Sequence, residues 1–474
     1  MSTLRRTTIV TAAACLALAG GTVAVAASPV TGLHPTPGGT WAGDPYFPAL
    51  GATGYDALTY HLDLDYEPVD ASSGTLDATS TMTFRATKTL SSFNLDLRGL
   101  EVSSVRVNGL RATFTHVDGE LIVTPRLPLL ARLPVVVTVE YGGTTGRPRD
   151  IEDSLYGWVS TADGAMVVNE PDGAPTWFPV NDDPNDKAIY TFRITVPEGK
   201  TAVANGLPIG QPRTRDGKTT FRWFEPSPMA SYLTTASIGD FDITTTRTED
   251  GLPIIDAIDR DVTAANRTTS EASLAKQADM IAFFSEHFGP YPFTSAGAIV
   301  DDDTVGYALE TQSRAVYSRV ASEGTVAHEI AHQWYGNTVS PHRWADIWLN
   351  EGFATYAAWM WGEHTGGQTV EARAAAVYAT PATSPFWSTV VADPGATGLF
   401  ASAVYSRGAL TLHELQQEIG EDDFAALLKA WPKERRNATG STSDFIALAE
   451  RISGQDLGAF FDAWVYTGTK PTTW

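Results

Sequence analysis

Cysteine is almost absent from the sequence, because Cys15 is the only one among 474 residues. It lies inside an N-terminal apolar segment that we expect to be removed on export, which leaves a mature chain without cysteine. Disulfides and thiolate metal sites are thereby excluded, and any metal site must use histidine and carboxylate ligands. Residues 11–14 lack the aliphatic residue of a lipid-attachment signal, which argues against lipidation of Cys15.

Long apolar runs are missing beyond residue 27, where no segment approaches the roughly 18 apolar residues of a membrane-spanning helix. The N-terminus instead resembles an export signal. Arg5 and Arg6 precede an alanine-rich apolar stretch over residues 9–27, which ends in small residues typical of a cleavage site. We expect residues 1–27 to be a signal peptide and the protein to be secreted, by the general or the twin-arginine route.

Basic residues are also scarce, since 33 Lys and Arg stand against 55 Asp and Glu, a formal net charge of −22. An acidic surface repels phosphate backbones and anionic lipid headgroups, so nucleic acid and membrane surfaces are poor partners. Apolar residues still make up 43% of the chain, enough for hydrophobic cores. The length predicts two or more domains.

The first half of the chain has the pattern of an all-β domain. Apolar and polar residues alternate over residues 60–66, 121–124 and 191–196, and Gly, Pro and Asp interrupt such runs at short intervals. Residues 28–48, rich in Pro, Gly and Thr, predict a flexible leader. We therefore expect an N-terminal β-sheet domain over residues 49–246.

The second half has helical periodicity. Leu274, Ala278, Ile281 and Phe284 recur at the spacing of one amphipathic helix, and residues 298–300 favour a short strand. Further helices are predicted at roughly 323–336, 347–363, 406–418, 422–431 and 443–453. The pattern indicates an α+β chain with a boundary near residues 243–250 and a mainly helical domain over residues 247–474.

The strongest local signal is His328-Glu329-Ile330-Ala331-His332. Residues i and i+4 of a helix share one face, so both imidazoles can bind one zinc ion while Glu329 points at the attacking water. By itself this pattern also occurs in ordinary helices with two surface histidines. Glu351 follows His332 by 19 positions, which lets the chain turn back and supply a third ligand.

Two histidines and one glutamate leave a fourth tetrahedral position open, as catalytic zinc requires. Cobalt and manganese are not excluded by affinity order alone. Glu329 would act as general base and pass the proton to the leaving amine. Asp346 would either orient a ligand histidine or serve as a helix N-terminal carboxylate.

Further motifs accompany this pattern along the chain. They are Asn169-Glu170-Pro171, Phe178-Pro179, Asp182-Asp183-Pro184, Lys187-Ala188, Gly306-Tyr307-Ala308-Leu309-Glu310, Trp334-Tyr335-Gly336-Asn337, Asn350-Glu351-Gly352-Phe353-Ala354 and Tyr405-Ser406-Arg407-Gly408-Ala409. In order and separation they resemble the M1 family of zinc aminopeptidases, gluzincins of the aminopeptidase N type, over about residues 50–470.

This resemblance implies an antiparallel β domain followed by a thermolysin-like, mainly helical zinc-peptidase domain with one zinc ion. It implies removal of the N-terminal residue from peptides with a free α-amine. Glu170 and Glu310 would bind the substrate ammonium, and Tyr405 would donate a hydrogen bond to the developing oxyanion. Tyr307 and Ala308 would line the substrate site, although Tyr307 stands where the family motif has glycine and could reshape the first subsite.

Family members often continue into a large C-terminal helical domain, so we expect here the two-domain form, a monomer acting on peptides. Two alternatives remain. A zinc endopeptidase of the gluzincin type would share the metal ligands, would not need Glu170 and Glu310, and would cut N-blocked peptides. A catalytically inactive binding module would have lost a ligand, Glu329 or Tyr405, and all of these are present.

Overall fold

The computed structural model describes residues 34–472, so the expected signal peptide with Cys15 lies outside the described residues. The first half of the described chain is built from strands. They are β1 (Thr36–Pro37), β2 (Tyr55–Asp70), β3 (Ser73–Ala86), β4 (Leu90–Asp96), β5 (Glu101–Val107), β6 (Leu110–Arg111), β7 (Thr113–Val117), β8 (Glu120–Thr124), β9 (Pro134–Thr145), β10 (Gly157–Ser160), β11 (Ala165–Val168), β12 (Ala188–Pro197), β13 (Thr201–Ala204), β14 (Leu207–Pro208), β15 (Arg213–Arg215), β16 (Lys218–Met229) and β17 (Ala236–Gly239).

A nine-stranded sheet forms the body of this half, in the order β14-β16-β12-β2-β3-β9-β5-β6 with β15 paired to β16. Its strands alternate as the sequence predicts: Tyr60 and Leu62 of β2 are buried, while His61 between them is exposed. Two four-stranded sheets, β10-β11-β17-β13 and β1-β4-β8-β7, complete the half. The predicted strands lie inside β2, β8 and β12.

The second half combines a small sheet with helices. Its strands are β18 (Phe241–Arg247), β19 (Pro253–Asp259), β20 (Ala296–Asp301), β21 (Ala308–Leu309), β22 (Ala315–Ser318), β23 (Val339–Pro341) and β24 (Ala438–Gly440). Its helices are α1 (Ala264–Leu274), α2 (Gln277–Phe288), α3 (Glu323–Ala331), α4 (Trp348–His364), α5 (Val370–Tyr378), α6 (Ser402–Ile419), α7 (Glu421–Glu434), α8 (Thr442–Ser453) and α9 (Gly458–Phe461). The α+β fold class is thus confirmed.

The sheets change at a slightly earlier point than the expected domain boundary. Strand β17 belongs to a sheet of the first half, whereas β18 pairs with β19 in the five-stranded sheet β18-β19-β20-β22-β21. The sheet membership therefore changes near residue 240, while the sequence placed the division after residue 246. Alternation along a single strand gives no sign of which sheet the strand joins, which explains the difference.

The helices differ from the sequence pattern at two places. The single helix predicted over Leu274–Phe284 is divided between α1 and α2. The break lies at Ala275 and Lys276, where Lys276 N donates to Ser273 O in a tighter turn. Helix α3 ends at Ala331 rather than near residue 336. Its continuation turns sharply through Gly336, whose φ of +126° is a conformation that favours glycine. No helix among residues 34–472 is long and apolar enough to cross a bilayer.

Two glycines bring α4 and α6 into backbone contact. A Cβ added to Gly352 would lie 2.9 Å from the Gly408 backbone, and one added to Gly408 would lie 2.9 Å from Gly352 Cα. Only residues without a side chain permit this approach. Because Glu351 precedes Gly352 and Tyr405 lies one turn before Gly408, the crossing holds both side chains at the same place.

Arg407 fastens the last part of the described chain to α6. Its side chain is fully buried and donates to backbone carbonyl groups, those of Trp387, Thr389, Ala463, Trp464, Thr467 and Thr469. The guanidinium offers five donors in a fixed plane, so one side chain can satisfy several backbone carbonyls. Helix α6, which carries Tyr405, is thereby held by these residues as well as by α4.

Candidate active site and metal centre

Three side chains from α3 and α4 converge on one point. His328 Nε2 lies 3.0 Å from Glu351 Oε2 and 3.0 Å from His332 Nε2, and His332 Nε2 lies 3.4 Å from Glu351 Oε2. Ligands of a tetrahedral zinc ion with bonds of about 2.0–2.1 Å are separated by roughly 3.3 Å. The donor set and its spacing therefore fit zinc. The structure explains the spacing of these three residues in the sequence. His328 and His332 are one helical turn apart, and Glu351 lies in the first turn of the next helix, α4.

The charges at this point favour a cation. Burial lowers the pKa of His332, but the carboxylates of Glu310 and Glu351 outweigh burial and raise that pKa to about 10. Burial raises the pKa of Glu351, but His332 and His328 outweigh it and lower that pKa to about 2. Both shifts show that the carboxylates stabilise a positive charge at this point. A divalent metal ion would supply that charge.

A hydrogen bond to the backbone orients His332, and Asp346 does not. His332 Nδ1 lies 3.0 Å from the Tyr335 carbonyl oxygen, within hydrogen-bond distance. Asp346 Oδ1 instead accepts from the backbone N and the hydroxyl of Thr442, both at 2.7 Å, at the start of α8. The hypothesis that Asp346 orients a ligand histidine is therefore wrong, because its carboxylate is occupied by the N-terminus of another helix.

Glu329, the predicted general base, is buried beside the ligands on α3. Carboxylate oxygens of Glu310 and Glu329 and a ring nitrogen of His332 lie within 4.8 Å of one another. Burial raises the pKa of Glu329 well above its usual range. A carboxylate whose pKa is raised holds a proton more firmly, as a base that must accept and then release one requires.

Glu170 and Glu310 reach the same point from outside the helices. Glu170 follows strand β11 and Glu310 follows strand β21, and their carboxylates lie within 4.8 Å of that of Glu351. The Oε1 atom of each is buried and has no hydrogen-bond partner among the described residues. Burial raises the pKa of both groups, and for Glu170 the charge of Glu310 raises it further. Such atoms require a donor that a ligand can supply.

Tyr405, Tyr307 and Ala308 complete the predicted set. The Tyr405 ring lies 6.0 Å from the His328 ring, nearly parallel to it, and no described residue accepts a hydrogen bond from its hydroxyl. Burial raises the pKa of Tyr405 well above its usual value, so the hydroxyl keeps its proton. Tyr307 is partly buried and donates to the Leu155 carbonyl oxygen at 2.7 Å, which fixes its ring beside Asp150, Glu152 and Ser154, three residues that line the same cavity.

All nine predicted site residues line or adjoin one cavity of about 740 Å³ between the two halves of the chain. Two residues that hold Glu310 in place had no role predicted from the sequence. Asn337 Nδ2 donates to the Glu310 carbonyl oxygen at 2.7 Å, and Gln333 Nε2 donates to it at 3.3 Å. Asn337 belongs to the motif Trp334-Tyr335-Gly336-Asn337, which does not indicate its partner, and Gln333 gave no signal, because a polar residue there suits any helix end. The cavity also contains Arg373 of α5, a helix the sequence analysis did not predict.

The chain is similar to known proteins both in sequence and in structure. The Peptidase M1 N-terminal domain matches residues 56–233, and the Peptidase family M1 domain matches residues 272–464. A two-domain M1 zinc metallopeptidase mutant bound to L-arginine is 30% identical, with a TM-score of 0.84 over 91% of this chain and 98% of that one. An M1 zinc metallopeptidase from Deinococcus radiodurans is 29% identical, with a TM-score of 0.83 over 91% of this chain and 98% of that one.

Among curated proteins, aminopeptidase N of Streptomyces lividans is 26% identical over 86% of this chain and 50% of the relative. Human glutamyl aminopeptidase is 28% identical over 62% of this chain and 33% of the relative. The chain thus spans half or less of the length of these curated relatives. The fold and the site define a two-domain zinc metallopeptidase. The chain belongs to peptidase family M1.

The ligand and base assignments predict different metal contents for two variants. Glu351→Ala removes one of three protein ligands, so we expect zinc to fall below roughly one tenth of an ion per chain after dialysis. Glu329→Ala should keep zinc and lose turnover by about 10²–10⁴-fold, the usual contribution of a general base. The measurement is elemental analysis of each dialysed variant, with His61→Ala on the exposed face of β2 as the control. Full zinc occupancy in Glu351→Ala would contradict its ligand role.

Proposed function

We propose that the protein is a zinc-dependent aminopeptidase that hydrolyses the N-terminal residue from peptides with a free α-amine. One observation carries this proposal: the buried Oε1 atoms of Glu170 and Glu310 lie beside the metal ligands and have no hydrogen-bond partner among the described residues. A substrate ammonium would donate charge-assisted hydrogen bonds to both, and a blocked, neutral N-terminus could not. Because the ammonium is held next to the metal, cleavage falls one residue into the peptide.

The chain's own residues divide the work of hydrolysis. His328, His332 and Glu351 would hold the zinc ion, which would supply Lewis acidity to the scissile carbonyl and lower the pKa of the attacking water. Glu329 accepts a proton from that water as the new C–O bond forms. It then delivers the proton to the amine nitrogen as the C–N bond breaks, which releases the N-terminal amino acid and the shortened peptide.

Tyr405 stabilises the charge that develops on the carbonyl oxygen. Its hydroxyl keeps its proton, has no acceptor among the described residues, and is carried on the helix that crosses α4 next to Glu351. A donor held in place before the reaction costs no reorganisation when the oxyanion forms. The D. radiodurans enzyme has been crystallised as a mutant bound to a Tyr-Ser-Ala substrate. We infer that short peptides of this kind are substrates here as well.

The ammonium-binding role predicts a sharp preference for free N-termini. We expect chelator-sensitive cleavage of Ala, Leu and Tyr p-nitroanilides and little cleavage of their N-acetylated forms. Glu310→Gln and Glu170→Gln should each lower kcat/KM for the free amines by at least tenfold, since a charged hydrogen bond contributes about 1.5–3 kcal/mol. Glu101→Gln on the exposed face of β5 is the control and should leave kcat/KM unchanged. Equal cleavage of acetylated substrates would favour the endopeptidase alternative instead.

Removing the Tyr405 hydroxyl should affect the chemical step and spare binding. We expect Tyr405→Phe to lower kcat by about 10²–10³-fold with little change in KM, as for loss of one oxyanion donor. Steady-state kinetics on a p-nitroanilide give both constants, and zinc content should stay at the level of the unmodified protein. A kcat within twofold of that protein would mean that another group stabilises the oxyanion.

We further propose that the protein is secreted and acts as a monomer. The support for secretion is the arginine pair and the apolar residues 9–27, which lie outside the described residues. The support for a monomer is that every site residue named above comes from one chain. Expression of the full-length chain should release protein that begins at Ser28, by N-terminal mass spectrometry of the medium. Deletion of residues 2–27 is the control, and a cell-retained protein that begins at Met1 would contradict export. Replacing Arg5 and Arg6 with lysine tests the twin-arginine route.

A further inference from the structure

The cavity continues beyond the metal centre along one face of helix α4. Glu351, Thr355, Ala358, Trp359 and Gly362 all line it, at helical spacings of four, three, one and three residues. At a rise of about 1.5 Å per residue, Gly362 lies roughly 16 Å along the helix from Glu351. The channel is therefore long enough to hold several residues of an extended peptide.

The direction of a bound peptide follows from the positions already described. Its ammonium group lies at Glu170 and Glu310, and its scissile bond lies at the metal. Tyr307, beside residues 150–154, adjoins the ammonium side of the cavity. The α4 face adjoins the metal ligand Glu351. The residues after the scissile bond therefore run along α4, towards Gly362.

Arg373 stands at the far end of this channel. A Cβ added to Gly362 would lie 3.1 Å from Arg373 Nη2, so the absence of a side chain within α4 makes room for the guanidinium. Arg373 Nε is buried and has no hydrogen-bond partner among residues 34–472. Among the described residues that line the cavity, Arg373 is the only lysine or arginine.

The acidic residues near Arg373 are engaged elsewhere. Glu323 binds Lys276 and accepts from the indole of Trp361. Glu363 accepts from the backbone N of Val370 at 3.0 Å, and Glu371 contacts His413 at 3.0 Å. The guanidinium, whose Nη2 atom lies beside Gly362 at the wall of the channel, thus has no ion pair among the described residues, in a protein with a formal net charge of −22.

We propose that Arg373 is a carboxylate-binding subsite on the leaving-group side, which selects short peptides by their C-terminal carboxylate. This rests on the proposed aminopeptidase function. A guanidinium matches a carboxylate in both charge and geometry. The channel along α4 is about 16 Å long, and the arginine side chain reaches back about 6 Å from its end. In the remaining length, two or three peptide residues at about 3.3 Å each fit between the scissile bond and the carboxylate. Tripeptides and tetrapeptides are therefore the substrates whose length fits the channel best.

The test compares substrates that differ only in the carboxylate. Tyr-Ser-Ala, its C-terminal amide, Tyr-Ser-Asp-amide and Tyr-p-nitroanilide are assayed with the unmodified enzyme, Arg373→Ala and Arg373→Lys. Arg215→Ala, a charge removal at a side chain that is 91% exposed, is the matched control. We expect the unmodified enzyme to prefer free Tyr-Ser-Ala over its amide by about tenfold in kcat/KM, the lower range for a charged hydrogen bond.

In Arg373→Ala this preference should fall to about one, while cleavage of the amide and of Tyr-p-nitroanilide stays within about twofold. Arg373→Lys should retain part of the preference, and Arg215→Ala all of it. Cleavage of Tyr-Ser-Asp-amide at the rate of the free acid would identify a side-chain carboxylate as a second ligand. Cleavage at the rate of the amide would restrict the subsite to the terminal carboxylate.

Two results separate failure of this inference from failure of the proposed function. If the unmodified enzyme cleaves Tyr-p-nitroanilide but treats Tyr-Ser-Ala and its amide alike, or if Arg373→Ala keeps the full preference, the carboxylate subsite is refuted and the aminopeptidase stands. If the zinc-loaded enzyme cleaves none of the four substrates, the aminopeptidase proposal itself fails. Should Arg373→Ala not fold, the same comparison is made with Arg373→Gln, which keeps a planar polar group without the charge.

Discussion

Four buried carboxylates converge on one point of the cleft, and the arrangement of the whole molecule depends on how their charge is balanced. Glu170, Glu310, Glu329 and Glu351 are all buried and lie in overlapping clusters of close contacts. Like charges at such distances are costly in a low-dielectric site unless cations accompany them. A divalent metal ion and a substrate ammonium together supply three positive charges. The fourth negative charge belongs to Glu329, the residue that accepts a proton during the reaction.

This cluster is assembled from both halves of the chain, so the contacts between the halves are part of the site. Lys187 of the β half donates to the carbonyl oxygens of Asn337 and Thr338, at 2.8 and 3.1 Å, just beyond the ligand helix. The hydroxyl of Tyr232 donates to the Gly336 carbonyl oxygen at 2.9 Å. These donors satisfy the irregular backbone that follows α3. They also link the two halves of the chain close to His332.

Local patterns in the sequence were sufficient for part of this arrangement. The i, i+4 pair of His328 and His332 requires only a helix, and the alternation in β2 requires only a half-buried strand, so both follow from chain-local geometry. The meeting of Glu170 with Glu310 is different, because it depends on a contact between halves of the chain and was available only through family resemblance. Asp346 was assigned the wrong partner for a related reason. Its proximity in sequence to Glu351 suggested that it orients a ligand histidine, but its partner is Thr442, 96 residues away.

The proposed role of Arg373 could not be predicted from the sequence for the same reason. It depends on the cavity that the side chain lines and not on the neighbouring residues along the chain. Arg373 and the paired glutamates line the same cavity, so in the proposed subsite that cavity would have two poles of opposite sign. A short peptide is a zwitterion whose ammonium and carboxylate are separated by a few residues, so it is complementary to both poles at once. A long peptide can satisfy only the ammonium pole. With a net charge of −22, the protein as a whole repels anionic groups, and at the proposed subsite Arg373, the one lysine or arginine among the described residues of the cavity lining, would offset that repulsion for a carboxylate.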